Sequence, residues 1–100
     1  MVMLAKVHQS YRNTIAICDK SLLGKTFEEG SKQIKITENF FGGEEKSEKE
    51  ILELIEKGAA EDYTFNIVGE ESIKTALKSG IIKPEGITKI QGIPVALVLL

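Results

Sequence analysis

Gly24-Lys25-Thr26 carries the three letters that close a phosphate-binding loop, and it sits in the stretch "CDKSLLGKTFEEG". Such a loop needs a glycine five residues earlier, a strand ahead and a long helix behind, because backbone amides and a helix N-terminus together cradle the phosphates. The residue at the required glycine position is Asp19, an anion that repels phosphate. Thr26 is followed by Phe27, Glu28, Glu29 and Gly30, too few residues for a helix before the next strand signal. The stretch therefore reads as a connector. Asp19 or Ser21 caps a single helical turn, Leu22 and Leu23 plug the edge of the core, and Gly24 releases the turn, leaving Lys25 free to meet a ligand.

Other reactive side chains are isolated. Cys18 is the sole cysteine, so no internal disulfide is available. The adjacent Asp19 raises rather than lowers a thiol pKa, which favours a buried small hydrophobe over a nucleophile. His8 is the sole histidine and has no other His or Cys with which to build a transition-metal site, so neither a metal nor a cofactor is expected. "FFGGEE" sets Phe40 and Phe41 beside Gly42, Gly43 and Glu44. It reads either as a contact surface or as aromatics folding back onto the following helix while the glycines turn the chain. "NIVGEES" places Asn66 and Gly69 where helix amides begin, a geometry that holds either an anion or a structural cap supplied by Glu70 and Glu71.

The elements that position these residues follow from apolar spacing. "MLAKVHQS" and "NTIAICDK" read as antiparallel strands joined at Ser10–Asn13, and the second has Ile15 and Ile17 on one face with Ala16 and Cys18 on the other. "QIKIT" is a third strand with one wet face, and "ENFFGGEEK" a loop. "SEKEILELIEKGAAED" predicts a helix capped by Ser47 and Glu50, with Ile51, Leu54, Ile55 and Ala59 forming its apolar stripe. "YTFNIV" predicts a strand, the spacing of Ile73, Ala76 and Leu77 a second helix directly after it, stopped by Gly80, and "GITKI" with "IPVALVLL" a closing pair of strands around Gln91-Gly92. The order β-β-β-α-β-α-β-β predicts an α+β two-layer sandwich with a mixed, mainly antiparallel sheet and two helices. The strand, helix, strand run over residues 63–91 permits a right-handed crossover to a parallel neighbour.

Composition bounds the rest. One hundred residues with 42% apolar content fit one domain over residues 1–100. The longest apolar run, Val95–Leu100, falls far short of the ~20 residues that span a bilayer, and no signal-peptide pattern opens the chain, so a cytoplasmic protein without membrane contact is expected. Arg12 is the sole arginine; the lysine-rich, glutamate-rich composition suits a thermophile's surface ion pairs and equally A/T-rich coding. Net charge is −2, but unevenly spread. Residues 1–37 hold six basic groups against three acids, and residues 38–62 hold nine acids against three lysines. A basic N-terminal half attracts a polyanion or serves as a solvated, edge-protecting surface.

Taken together, "ICDKSLLGKTFEEG", "FFGGE", "NIVGEES" and "IQGIP", in this order along nearly the whole chain, resemble a family of small archaeal proteins catalogued as domain of unknown function 424. The resemblance implies an archaeal cytoplasmic protein with no assigned reaction and no established catalytic residues. It further implies a His directly after the C-terminal Pro in relatives. This chain has Val95 there, so chemistry relying on that imidazole is absent. The residues expected to share a surface are Asp19, Gly24, Lys25, Gly42, Gly43, Glu44, Asn66 and Gly69. Three readings follow. The first is a non-enzymatic binding module for RNA or a translation-associated protein. The second is a small-molecule or anion-binding protein, in enzyme form using Glu44 as base and Lys25 as electrostatic clamp. The third is a homo-oligomer joined through the apolar strand "VALVLL".

Overall fold

A computed structural model describes residues 2–99. The fold is α+β, with a six-stranded mixed sheet, a separate two-stranded sheet and three helices. β1 (Met3–His8) and β2 (Thr14–Asp19) form the expected antiparallel pair, Met3 opposite Asp19 and His8 opposite Thr14. A short 3-10 turn at Lys20–Leu22 then leads into a hairpin of β3 (Thr26–Glu29) and β4 (Lys32–Lys35). After it come α1 (Glu38–Phe41), β5 (Glu44–Lys46), α2 (Glu48–Ala60), β6 (Thr64–Val68), α3 (Glu70–Ser79), β7 (Thr88–Ile90) and β8 (Ile93–Val98). The large sheet runs β5-β1-β2-β6-β8-β7, and its one parallel contact joins β2 to β6.

Three expectations are corrected. Thr26–Glu29, read as connector, is strand β3, because Phe27 opposite Ile34 gives the hairpin an apolar inner face while Glu28 and Gln33 hydrogen-bond outside it. The strand predicted at residues 33–37 therefore pairs in the hairpin and not in the main sheet. The segment read as a loop at residues 38–46 holds α1, whose cap is the Thr37 hydroxyl accepting from the Phe40 amide at 3.2 Å, and edge strand β5. Among the described residues the α-helices therefore number three. The parallel neighbour of β6 is β2, reached from the other end of the chain. The run after β6 brings β7 back parallel to β6 but one strand away, and the two-residue turn at Gln91 (φ 52°) and Gly92 (φ 78°) reverses the chain so that β8 lies antiparallel between them.

Period-two alternation divides the sheet into two cores. On one face Met3, Ala5, Ile15, Ile17, Phe65, Ile67, Ala96 and Val98 pack under α2 and α3. The helices contribute Ile51, Ile55, Ile73 and Ala76. Gly58 lets α2 lie against the sheet, since a Cβ there would stand 2.8 Å from Ile15 Cδ1. The Ser47–Glu50 capping box forms as the spacing predicts, and Gly80 ends α3 at φ 84°. On the other face Leu4, Ala16, Cys18 and Val68 are covered by the β3–β4 hairpin and α1 through Ile36, Phe41, Phe27 and Ile34. The hairpin is tied across the sheet to the β7–β8 turn by Glu28 N–H donating to Gln91 Oε1 (3.0 Å) and Gln91 N–H donating to Glu29 (2.6 Å).

Candidate functional site

The loop residues singled out in the sequence fall into separate groups. Asp19 and Gly69 are in contact. The Asp19 carboxylate receives the Ser72 amide (2.9 Å), the Ser72 hydroxyl (2.8 Å) and the Glu71 amide (3.1 Å), and Gly69, at φ 112°, leaves room for it. A Cβ on Gly69 would lie 2.7 Å from each carboxylate oxygen. The first-turn amides of α3 are thus filled by an internal carboxylate in the position a bound anion takes in a phosphate site. Gly24 and Lys25 fasten the hairpin base: the Gly24 amide donates to Ile36 O (2.7 Å), and the Ile36 amide donates to Lys25 O (2.9 Å). Gly42 closes α1 with its amide on Glu38 O (2.7 Å), and Gly43 lies against β1, where an added Cβ would run into the Ala5 carbonyl and stand 2.8 Å from Lys6 Cα.

Glu44 and Asn66 lie on opposite faces of the sheet. Glu44 is opposite Ala5, whose side chain belongs to the helix-covered core, and it pairs with Lys46 at 3.3 Å. Asn66 is opposite Ala16, which belongs to the other core. It lies in the middle of β6 and not at the strand end expected from "NIVGEES". Phe41 turns into the second core and not onto α2, and Phe40 stacks against His8. Lys25 stands at the base of the hairpin, and Glu44 lies on β5 with its side chain on the helix side of the sheet. Cys18 is fully buried and its thiol is pushed up to about 12, by desolvation first and by the charge of Asp19 second, so it is inert as a nucleophile. Among the described residues no group of three His, Cys, Asp or Glu is arranged to hold a metal.

The alternation of the strands instead assembles a polar strip on the second face, beyond the cover of the hairpin. Lys6 and His8 on β1, Thr14 on β2, Thr64 and Asn66 on β6 and Leu97 on β8 share that face, since Lys6 is opposite Ala16, His8 opposite Thr14, Thr14 opposite Thr64, and Asn66 opposite both Ala16 and Leu97. The Lys6 ammonium donates to Asn39 O at 2.7 Å, and the Thr14 and Thr64 hydroxyls share a hydrogen bond of 2.7 Å. The His8 and Phe40 rings stack with centroids 4.7 Å apart and planes 13° from parallel, and Phe41 meets Phe40 edge-on. His8 Nε2 stands 2.8 Å from Phe40 O. A carbonyl only accepts, so Nε2 carries the proton and Nδ1 is the nitrogen left to meet a partner.

The half-buried Asn66 amide has no hydrogen-bond partner among the described residues, and Leu97 beside it is 59% exposed. At the same end of the strands the β1–β2 loop presents Tyr11, fully exposed, next to Arg12. Sequence reading concentrated on loops and missed this strip. Its signal was present in the two-residue spacing of Lys6 and His8, of Thr14 and Ala16, and of Thr64 and Asn66.

The family model described as "Protein of unknown function (DUF424)" matches residues 8–100. No curated protein matches the chain. The fold is shared with the crystal structure of an uncharacterized conserved protein from Methanopyrus kandleri, with a TM-score of 0.85 and 19% sequence identity over 98% of this chain and 90% of that one.

Proposed function

Because the chain belongs to the DUF424 family, whose function is unknown, membership brings no reaction or partner with it, and we propose from the geometry that it is a non-enzymatic module binding single-stranded RNA on the open strip of its sheet. The observation that carries this reading is His8 of β1, stacked on Phe40, sharing one sheet face with an unpartnered Asn66 amide two strands away on β6. Sheet surfaces of this kind bind unpaired bases by stacking and read their edges with amide and hydroxyl groups. Here Asn66 and the Thr14–Thr64 pair supply donors and acceptors, His8 Nδ1 an acceptor, and Lys6 the charge for the backbone.

The uneven charge supports it. The acids of α2, Glu48, Glu50, Glu53 and Glu56, lie on the helix side of the sheet. Lys6 and the hairpin lysines Lys32 and Lys35 belong to the opposite side; Glu28 and Glu29 balance the two hairpin lysines, so Lys6 is the cation the strip offers a polyanion. The anion-binding alternative loses its helix N-terminus to Asp19. Fluorescence anisotropy with labelled single-stranded and duplex RNA at two salt concentrations tests the reading. Expected are binding of the single strand, weakening as salt rises, and a loss of about tenfold for His8→Ala, within the ~1–3 kcal/mol a stacked base contributes. No binding by the parent at low salt overturns it.

A further inference from the structure

We infer that the outer edge of β8 pairs with the same edge of a second copy of this chain. β7 covers β8 only from Ile93 to Val95, where Ile90, Lys89 and Thr88 stand opposite. Ahead of Thr88 the chain leaves the sheet in a 3-10 turn, Pro84–Gly86. A recess of about 570 Å³ remains between that segment and Leu97, Val98 and Leu99. Pro94 O accepts from Gly69 N–H on the β6 side, so alternation turns the amide and carbonyl of Leu97 outward, where no strand among the described residues pairs with them. An extended backbone is the ligand that such groups accept.

Second copies are the occupant because the edge complements itself. Soluble proteins blunt open edges with charge, and the other two edges of this sheet follow the rule, with Glu44, Glu45 and Lys46 on β5 and Lys89 on β7. From Ile90 onward the chain has no charged residue, and Leu97 and Leu99 are 59% and 69% exposed. Antiparallel pairing about a two-fold axis sets apolar against apolar, and the recess rim holds one cation and one anion, Lys83 and Glu85, which a two-fold copy matches in opposite sign. With the axis perpendicular to the sheet, the Asn66–Leu97 faces of both copies lie on the same side. This inference uses the backbone edge of β8, shares only Leu97 with the strip, and stands whether or not RNA binds.

Light scattering across a concentration series, with circular dichroism to verify folding, tests it. The expected result is a dimer that Leu97→Lys and Leu99→Lys, at exposed side chains, each convert to a folded monomer. A monomeric parent throughout overturns the inference, as does a dimer that survives both substitutions. RNA anisotropy on the folded monomeric Leu99→Lys variant separates the two readings, since the strip on one copy remains intact.

Discussion

Asp19, the last residue of β2, caps a distant helix: its Oδ1 accepts both the amide and the hydroxyl of Ser72, 53 residues further on, at 2.9 and 2.8 Å. The residue at the start of α3 is Gly69, which has no side chain to do this. The single buried carboxylate therefore joins the end of one sheet strand to the helix that covers the neighbouring one.

Removing that carboxylate should be costly. Asp19→Ala strands buried donors on Ser72 and Glu71 and is expected to lower stability by about 2 kcal/mol in urea unfolding. Gly69→Ala is expected to cost more, since it forces a Cβ against the carboxylate at a backbone φ of 112° that disfavours any side chain. A Gly69→Ala protein as stable as the parent would show that the cap is not held as described.

Cys18 makes stability depend on alkaline pH. Its thiol is raised from 9.0 to about 12 in the folded chain, so the unfolded chain loses the proton first. The contribution is complete below pH 9 and is lost as pH rises toward 12. Thermal melts of the parent against Cys18→Ala should converge over that window, and alkylation of the native thiol at neutral pH should be slow compared with the unfolded one.

Gly43 should tolerate no side chain, because β5 lies directly on the β1 backbone there. Gly43→Ala is expected to cost about 1–3 kcal/mol by overpacking. Hydrogen exchange should localise the damage to the amides of Glu44–Lys46, with α3 unaffected.

Lys25 and Glu44 are exposed, and their alanine variants should stay within about 0.5 kcal/mol of the parent. Glu44→Ala should leave RNA affinity unchanged, because its side chain lies on the helix side of the sheet. A tenfold loss there, with His8→Ala silent, would move the interface to the β5 edge.

The capping box of α2 gives a final check at acid pH. The Ser47 amide, then its hydroxyl, hold the Glu50 carboxyl below its usual range. This stabilisation is present above the ordinary carboxylate pKa and disappears as pH falls through the lowered value. Glu50→Gln melts should approach those of the parent in acid and fall below them at neutral pH.

Local patterns were legible where neighbours in the chain decide the outcome. Ser47 and Glu50 cap a helix because they are three residues apart, Gly80 ends one because its φ is positive, and Gln91-Gly92 turns a hairpin for the same reason. Period-two spacing likewise placed Ile15 and Ile17 against one core and Ala16 and Cys18 against the other. Thr26–Glu29 and Glu44–Lys46 were not legible as strands, because short charged segments become strands only when a partner supplies the hydrogen bonds.

Sequence by itself determined the α+β class, the amphipathic helices and the inert cysteine, since each rests on composition or on spacing within about a dozen residues. Tertiary structure alone decided that β2 runs parallel to β6, that Asp19 takes the anion position at α3, that Glu44 and Asn66 are set on opposite faces, and that His8 meets Phe40 across a strip of unguarded sheet. The contacts among these join residues 32 to 53 positions apart, and their register is chosen by the burial of whole faces, a sum over the entire sheet that no single segment encodes.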